Sequence, residues 1–179
     1  MPATTRTARA CALALAAFGV TASTLTAVPA TAAGDTDQVT STTTTEKKRL
    51  SAKRRVANRV LSARDIAMNQ RGDAYGYGAV GPHRFDCSGL IRYSYARAGF
   101  DVPRTSRAQA GHARRIAKKD MRAGDLMFFA NGGGVYHAAI FLRWSRGHAV
   151  MLHAPGSGDR VRVAVPWTSQ WFGGTLRRA

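Results

Sequence analysis

Apolar residues are spread unevenly along the chain, and each change in their pattern marks a change of element. Residues 11–28 are almost entirely apolar or small, whereas 34–45 are rich in Thr, Ser and Asp and offer nothing to bury, which predicts a disordered leader. Behind a basic stretch, Val60-Leu61 and Ile66-Ala67 recur at helical spacing, which predicts a helix over about 51–70 that Arg71-Gly72-Asp73 stops. Leu90, Ile91, Ser94 and Ala98 share one helical face, so a second helix is expected to begin at Cys87 and to end at Gly99. Residues 104–119 are polar and basic, the pattern of a short helix or irregular cover.

The character then changes. Residues 126–129, 137–142, 149–153 and 161–165 are short apolar or alternating runs, separated by loops such as Asn131-Gly132-Gly133-Gly134 and Pro155-Gly156-Ser157-Gly158. Four strands joined in this way read as an antiparallel meander. Helices first and strands afterwards give the α+β class, with N-terminal helices packed on a central antiparallel sheet.

The first apolar run, residues 11–28, belongs to a targeting pattern. Arg6 and Arg9 precede it and Ala30-Thr31-Ala32 follows it, the three-part pattern of a secretory signal over 1–32. The division that results is a signal peptide (1–32), a disordered leader (33–50), and a catalytic domain with a basic N-terminal helix (51–179). No second apolar run is long enough to span a membrane, so a secreted, wall-associated protein is expected. Of the formal charge of +17, the signal carries two positive charges, leaving 17 − 2 = +15 beyond it. That balance suggests a polyanion nearby, and for an exported protein anionic wall polymers, met through residues 47–59, are favoured over nucleic acid.

Cleavage removes Cys11 and leaves Cys87 alone, so no internal disulfide can form. Cys87 is then an inert buried thiol, an intermolecular partner or a functional group. Its neighbours Asp86 and Ser88 favour function. A sulfur in the first turn of a helix faces unpaired N–H groups and the positive end of the dipole, which favours thiolate. A cysteine hydrolase also needs a base and a third group to orient that base. His137 opens the second strand of the meander and His153 ends the third, so neighbouring antiparallel strands can set them side by side. His83 reads as a loop residue, and His112 and His148 as solvated ones. The scattered histidines lack the paired spacing of a zinc site, and neither metal nor cofactor is expected.

Tyr75-Gly76-Tyr77-Gly78, Phe85-Asp86-Cys87-Ser88-Gly89-Leu90, Pro103-Arg104-Thr105-Ser106, Ala123-Gly124-Asp125-Leu126-Met127-Phe128-Phe129 and His137-Ala138-Ala139-Ile140-Phe141 occur in an order that resembles the NlpC/P60 family over about 60–165. Members of that family are papain-like cysteine peptidases that cut bacterial cell-wall peptides. The resemblance implies a papain-like NlpC/P60 fold, with Cys87 as nucleophile, His137 as general base and His153 as the third polar residue. It places Tyr75 near the nucleophile, at the oxyanion or substrate, Asp86 and Ser88 around the free amine of the stem peptide, and Arg104 in the cleft wall. Tyr77 and Ala79 stand where the family usually has tryptophan and glycine, so the cleft wall is expected to differ.

The implied activity is hydrolysis of a peptidoglycan stem peptide at the γ-D-glutamyl to diamino-acid bond. Two rivals stand beside it. One is a papain-like amidase or acyltransferase acting on another substrate; the other is a non-catalytic cationic wall-binding protein that works through residues 47–59. No oligomer interface is legible.

Overall fold

The computed structural model of the chain describes residues 37–177, and the segment read as a signal peptide, 1–32, lies outside them. In chain order the elements are α1 (Asp37–Met68), the two-residue strands β1 (Ala74–Tyr75) and β2 (Arg84–Phe85), α2 (Cys87–Arg97), α3 (Ser106–His112), β3 (Arg114–Ile116) and a 3-10 turn (Lys118–Asp120). There follow β4 (Leu126–Asn131), β5 (Gly134–Ser145), β6 (His148–His153), β7 (Arg162–Ala164) and β8 (Trp171–Thr175). Six strands form one sheet in the order β3-β8-β4-β5-β6-β7, with every pairing antiparallel. The α+β class holds, and β4 to β7 are the meander that the apolar runs predict.

Alternation along the strands divides the sheet into two apolar faces. Leu126, Phe128, Ala138, Ile140 and Leu152 pack against Ala63 and Ala67 of α1 and Leu90 and Ile91 of α2. On the other face Met127, Phe129, Ala139, Phe141 and Met151 form a smaller cluster with Trp171 and Met121. Among the described residues, α1 and α2 pack on the first face.

Helix α1 differs from expectation at its start. It begins at Asp37, inside the stretch read as a disordered leader to residue 50. The physical reason is propagation: Val60, Ala63 and Ala67 are fully buried and fix the C-terminal half, after which each further turn adds hydrogen bonds without a new nucleus. The polar reading of the stretch survives, because residues 42–51 are exposed throughout. Arg59 belongs to the fold as much as to the basic surface. Its Nε donates to Ala98 O at 2.8 Å and its guanidinium lies 4.4 Å from the centre of the Phe100 ring, tying α1 to the C-terminal end of α2.

Strands β3 and β8 were not anticipated. In β8 a Cβ on Gly174 would stand 2.8 Å from Phe128 Cε2, and one on Gly173 2.9 Å from Met121 Sδ, so the two glycines are needed for close packing on both faces. At the head of β4 the buried Asp125 accepts from the Thr175 hydroxyl at 2.6 Å, from the Arg122 N–H at 2.7 Å and from the Arg177 guanidinium. That carboxylate fastens the C-terminal strand to the sheet.

Candidate active site

Helix α2 starts at Cys87 because Asp86 caps it. In an extended conformation, Asp86 accepts the Gly89 N–H through its side chain at 2.6 Å. The same carboxylate takes the Gly78 N–H at 3.0 Å and the Ser88 hydroxyl at 3.2 Å, and forms an ion pair with Arg104. Arg104 also donates to Ser88 Oγ at 2.9 Å. Gly89 is required here, since a Cβ would lie 2.0 Å from Ala79 O. The loop from Gly76 to Gly81 is thus strapped over the first turn of the helix, and the parallel pairing of Tyr75 with Phe85 brings Tyr75 to the same place.

Cys87 is partly exposed at this corner. Burial pushes its thiol up from the ordinary value, while the N–H groups of Ala138 and Ser88 pull the other way and the charge of Asp86 adds to the rise. The thiolate expected at the helix head is therefore corrected: desolvation outweighs the helix N-terminus, and the resting group is a thiol. The contact with the Ala138 amide is equally informative. It sets the sulfur against the peptide that follows His137 in β5.

His137 is buried, and its Nε2 lies 3.0 Å from Nδ1 of His153 across the β5–β6 pair, with the ring planes at 87°. Burial, and then the neighbouring ring, push His137 down to about 3. Burial, and then Arg162, push His153 down to about 4 against the opposing pull of Asp159. Both rings are neutral at pH 7, so a single proton lies between them. When Nε2 of His137 holds it, His137 Nδ1 keeps a lone pair that can accept the proton of a thiol. His153 Nε2 is buried without a hydrogen-bond partner.

Tyr75 is half-buried, and its hydroxyl is pushed up by burial and then by the charges of Cys87 and Asp86. The sequence reading thus named residues that the fold brings into one corner: Tyr75, Asp86, Cys87, Ser88 and Arg104 on the helix side, His137 and His153 on the sheet side. For Asp86, Ser88 and Arg104 the structure shows mutual contacts, so a substrate amine at Asp86 has to share that carboxylate with Arg104. Two residues went unnoticed. Gln109 of α3 donates to Ser88 O and Pro103 O, each at 2.9 Å, bracing the Arg104 turn against α2. Trp167 stacks on Phe129 with centroids 4.5 Å apart and covers both imidazoles at 5.3 and 5.8 Å. Neither belongs to a periodic run, and the lone tryptophan beside Pro166 gave no motif to find.

The model of the NlpC/P60 family matches residues 72–177. The chain belongs to this family. A probable endopeptidase of Corynebacterium glutamicum is 41% identical over 93 residues, which are 52% of this chain and 42% of that protein, so the chain spans less than half of that relative. The crystal structure of the NlpC/p60 domain of the peptidoglycan hydrolase SagA superposes with a TM-score of 0.59 at 31% identity, covering 65% of this chain and 98% of that domain. RipD of Mycobacterium tuberculosis, described as a non-catalytic NlpC/p60 domain protein adapted to peptidoglycan binding, is also similar, with a TM-score of 0.52, 26% identity and coverage of 66% and 97%. Catalysis in an NlpC/P60 domain therefore has to be argued from the site itself.

Proposed function

We propose that this NlpC/P60 protein is a peptidoglycan hydrolase that cleaves the wall stem peptide through a Cys87 thioester. The observation that carries the reading is the 3.0 Å contact between His137 and His153, in a sheet whose Ala138 N–H acts electrostatically on the Cys87 sulfur. A binding module has no need of a buried neutral imidazole pair at a thiol.

Chemistry proceeds from the neutral pair. As Cys87 Sγ attacks the scissile carbonyl, its proton passes to His137 Nδ1, and the N–H on Nε2 donates to His153 as the ring becomes cationic. Of the first N–H groups of α2, those of Gly89 and Leu90 are used by Asp86. The Cys87 N–H, with the Tyr75 hydroxyl, is the donor available to the oxyanion. Collapse of the tetrahedral intermediate returns the proton from His137 to the leaving amine and leaves a thioester. Water, deprotonated by the same imidazole, then releases the acid.

The bond favoured is the γ-D-glutamyl to diamino-acid linkage, as the family resemblance implies. The N-terminal pattern supports export to the wall. Lys47, Lys48, Lys53 and Arg54 on the exposed face of α1 support a salt-sensitive hold on anionic polymers. Among the described residues, no helix is long and apolar enough to cross a membrane.

Purified stem-peptide fragments incubated with wild type and with Cys87→Ala, and analysed by mass spectrometry, test the reading. A new diamino-acid amine in the wild-type products alone supports it. Release at the sugar-proximal amide, or acyl transfer to an added amine, points to the amidase or acyltransferase rival. Fragments unchanged by folded wild type would falsify the hydrolase.

A further inference from the structure

The face of the sheet away from the helices carries a feature that hydrolysis of a peptide does not use. All three tryptophans of the chain lie along it, although they come from different segments. Trp144 is the penultimate residue of β5, Trp171 opens β8, and Trp167 stands in the connection before β8. Together they line an open groove of about 420 Å³. Trp171 forms its floor, with its ring 6.3 Å from that of Trp144 and with Lys118 Nζ 4.1 Å away over it. Lys118 is held in place by its donation to Ser169 O at 2.9 Å.

Indoles that served only to cover Phe129, Phe141 and Met151 would be buried by that task. Trp144 instead remains 42% exposed and Trp167 56% exposed. Trp167 lies flat on Phe129, at an interplanar angle of 10°, yet more than half of the residue stays open to solvent. Exposed flat aromatic surfaces rimmed by polar groups mark a binding site. Here Lys118, His148, Thr168 and Ser169 supply the rim.

A pyranose ring matches this surface. Its axial C–H groups make a flat apolar face and its equatorial hydroxyl and acetamido groups point outward, towards a polar border. The groove is open and shallow, which suits a polymer passing over it better than an acyl chain that needs enclosure. It is also continuous with the catalytic corner, because Trp167 touches both His137 and His153.

We propose that the groove of Trp144, Trp167 and Trp171 binds the glycan strand of the wall, so that the enzyme holds the sugar chain on one side of Trp167 and cuts the attached peptide on the other. The choice of sugar rests on the hydrolase reading; the groove itself does not.

The test uses the full chain carrying Cys87→Ala and two probes without any peptide: wall glycan strands stripped of their stems, and a β-1,4-linked N-acetylglucosamine hexamer. Because every tryptophan lies in the groove, intrinsic fluorescence reports on it directly. Both probes are expected to give a saturable change that survives raised salt. Adding Trp144→Ala is expected to weaken binding about tenfold, while Trp144→Phe stays within about threefold, because a flat ring is retained. Equal melting temperatures exclude misfolding of the half-exposed variant. Absence of a saturable change, binding abolished by salt, or unchanged affinity in Trp144→Ala overturns the proposal. Neither glycan probe contains the stem-peptide bond, so failure of the hydrolase reading and failure of this one are separate results.

Discussion

His137 Nε2 and His153 Nδ1 lie 3.0 Å apart in a pocket where burial keeps both rings uncharged. Burial also pushes the Cys87 thiol above its ordinary value. The resting site is thus thiol and imidazole, not thiolate and imidazolium. Proton transfer then belongs to the chemical step.

Alkylation distinguishes the two states. With a raised thiol pKa, the rate of Cys87 modification by iodoacetamide is expected to keep increasing beyond the ordinary thiol range of about 8.5. A rate that levels off by pH 7 contradicts the neutral pair. Replacing His137 with Ala is expected to lower kcat by about 10²–10⁴.

The orienting role of His153 predicts a graded series. His153→Asn keeps an oxygen that accepts the His137 Nε2–H, whereas His153→Ala keeps nothing. Activity is expected to fall in that order, in kcat more than in KM, since the ring acts through His137. Equal losses in the two variants would show that space, rather than the hydrogen bond, matters.

Stability should follow the same rings. Their folded pKa values, about 3 and about 4, lie below the unfolded value of 6.5, so each contributes stability that is complete above 6.5 and is lost as pH falls towards the folded values. At pH 5 the loss is roughly 2 kcal/mol per ring. Urea midpoints measured from pH 7 to pH 5 are expected to fall, and to fall less when both histidines are replaced by Asn. Trp167→Ala, by opening His153 to water, should flatten the profile in the same direction.

Asp86 tests whether a residue near the nucleophile holds substrate or holds the site. Its carboxylate caps α2, carries the Gly78 amide and pairs with Arg104. Asp86→Ala is expected to cost roughly 2–4 kcal/mol, and Asp86→Asn less, because the amide oxygen still caps the helix. Asp86→Asn that raises KM with stability unchanged would instead place the carboxylate on the substrate amine.

What the sequence made legible was whatever has a period or a cap. The face Leu90, Ile91, Ser94 marked α2, and the apolar runs marked β4 to β7. Strand β8 was hidden because Gly173 and Gly174, which look like a turn, are small only to admit Phe128 and Met121. Strand β3 is an edge made of Arg114, Arg115 and Ile116, with no alternation to read. The site followed the same rule. Cys87, His137 and His153 stand on recognisable elements, whereas Gln109 and Trp167 act through contacts between segments distant in sequence. The pKa direction of Cys87 was missed because a helix start is visible in sequence and the depth at which it is buried is not.

The basic helix offers a last test, and the structure sharpens its design. Deleting residues 47–59 would also remove Arg59, which bonds to Ala98 and covers Phe100, so lost activity could come from a loosened α1–α2 contact. Lys47, Lys48, Lys53 and Arg54 are exposed and can be changed to Gln without touching that contact. The fourfold variant is expected to melt within about 1 kcal/mol of wild type, as exposed charges contribute little to stability. It is expected to pellet less with purified walls at low salt. Wild type should approach the variant as salt rises, because screening beyond about 8–10 Å removes the same attraction. Equal pelleting of the two at every salt concentration would leave the charge on α1 without a part in wall binding, and retention would then have to come from the catalytic cleft or the tryptophan groove.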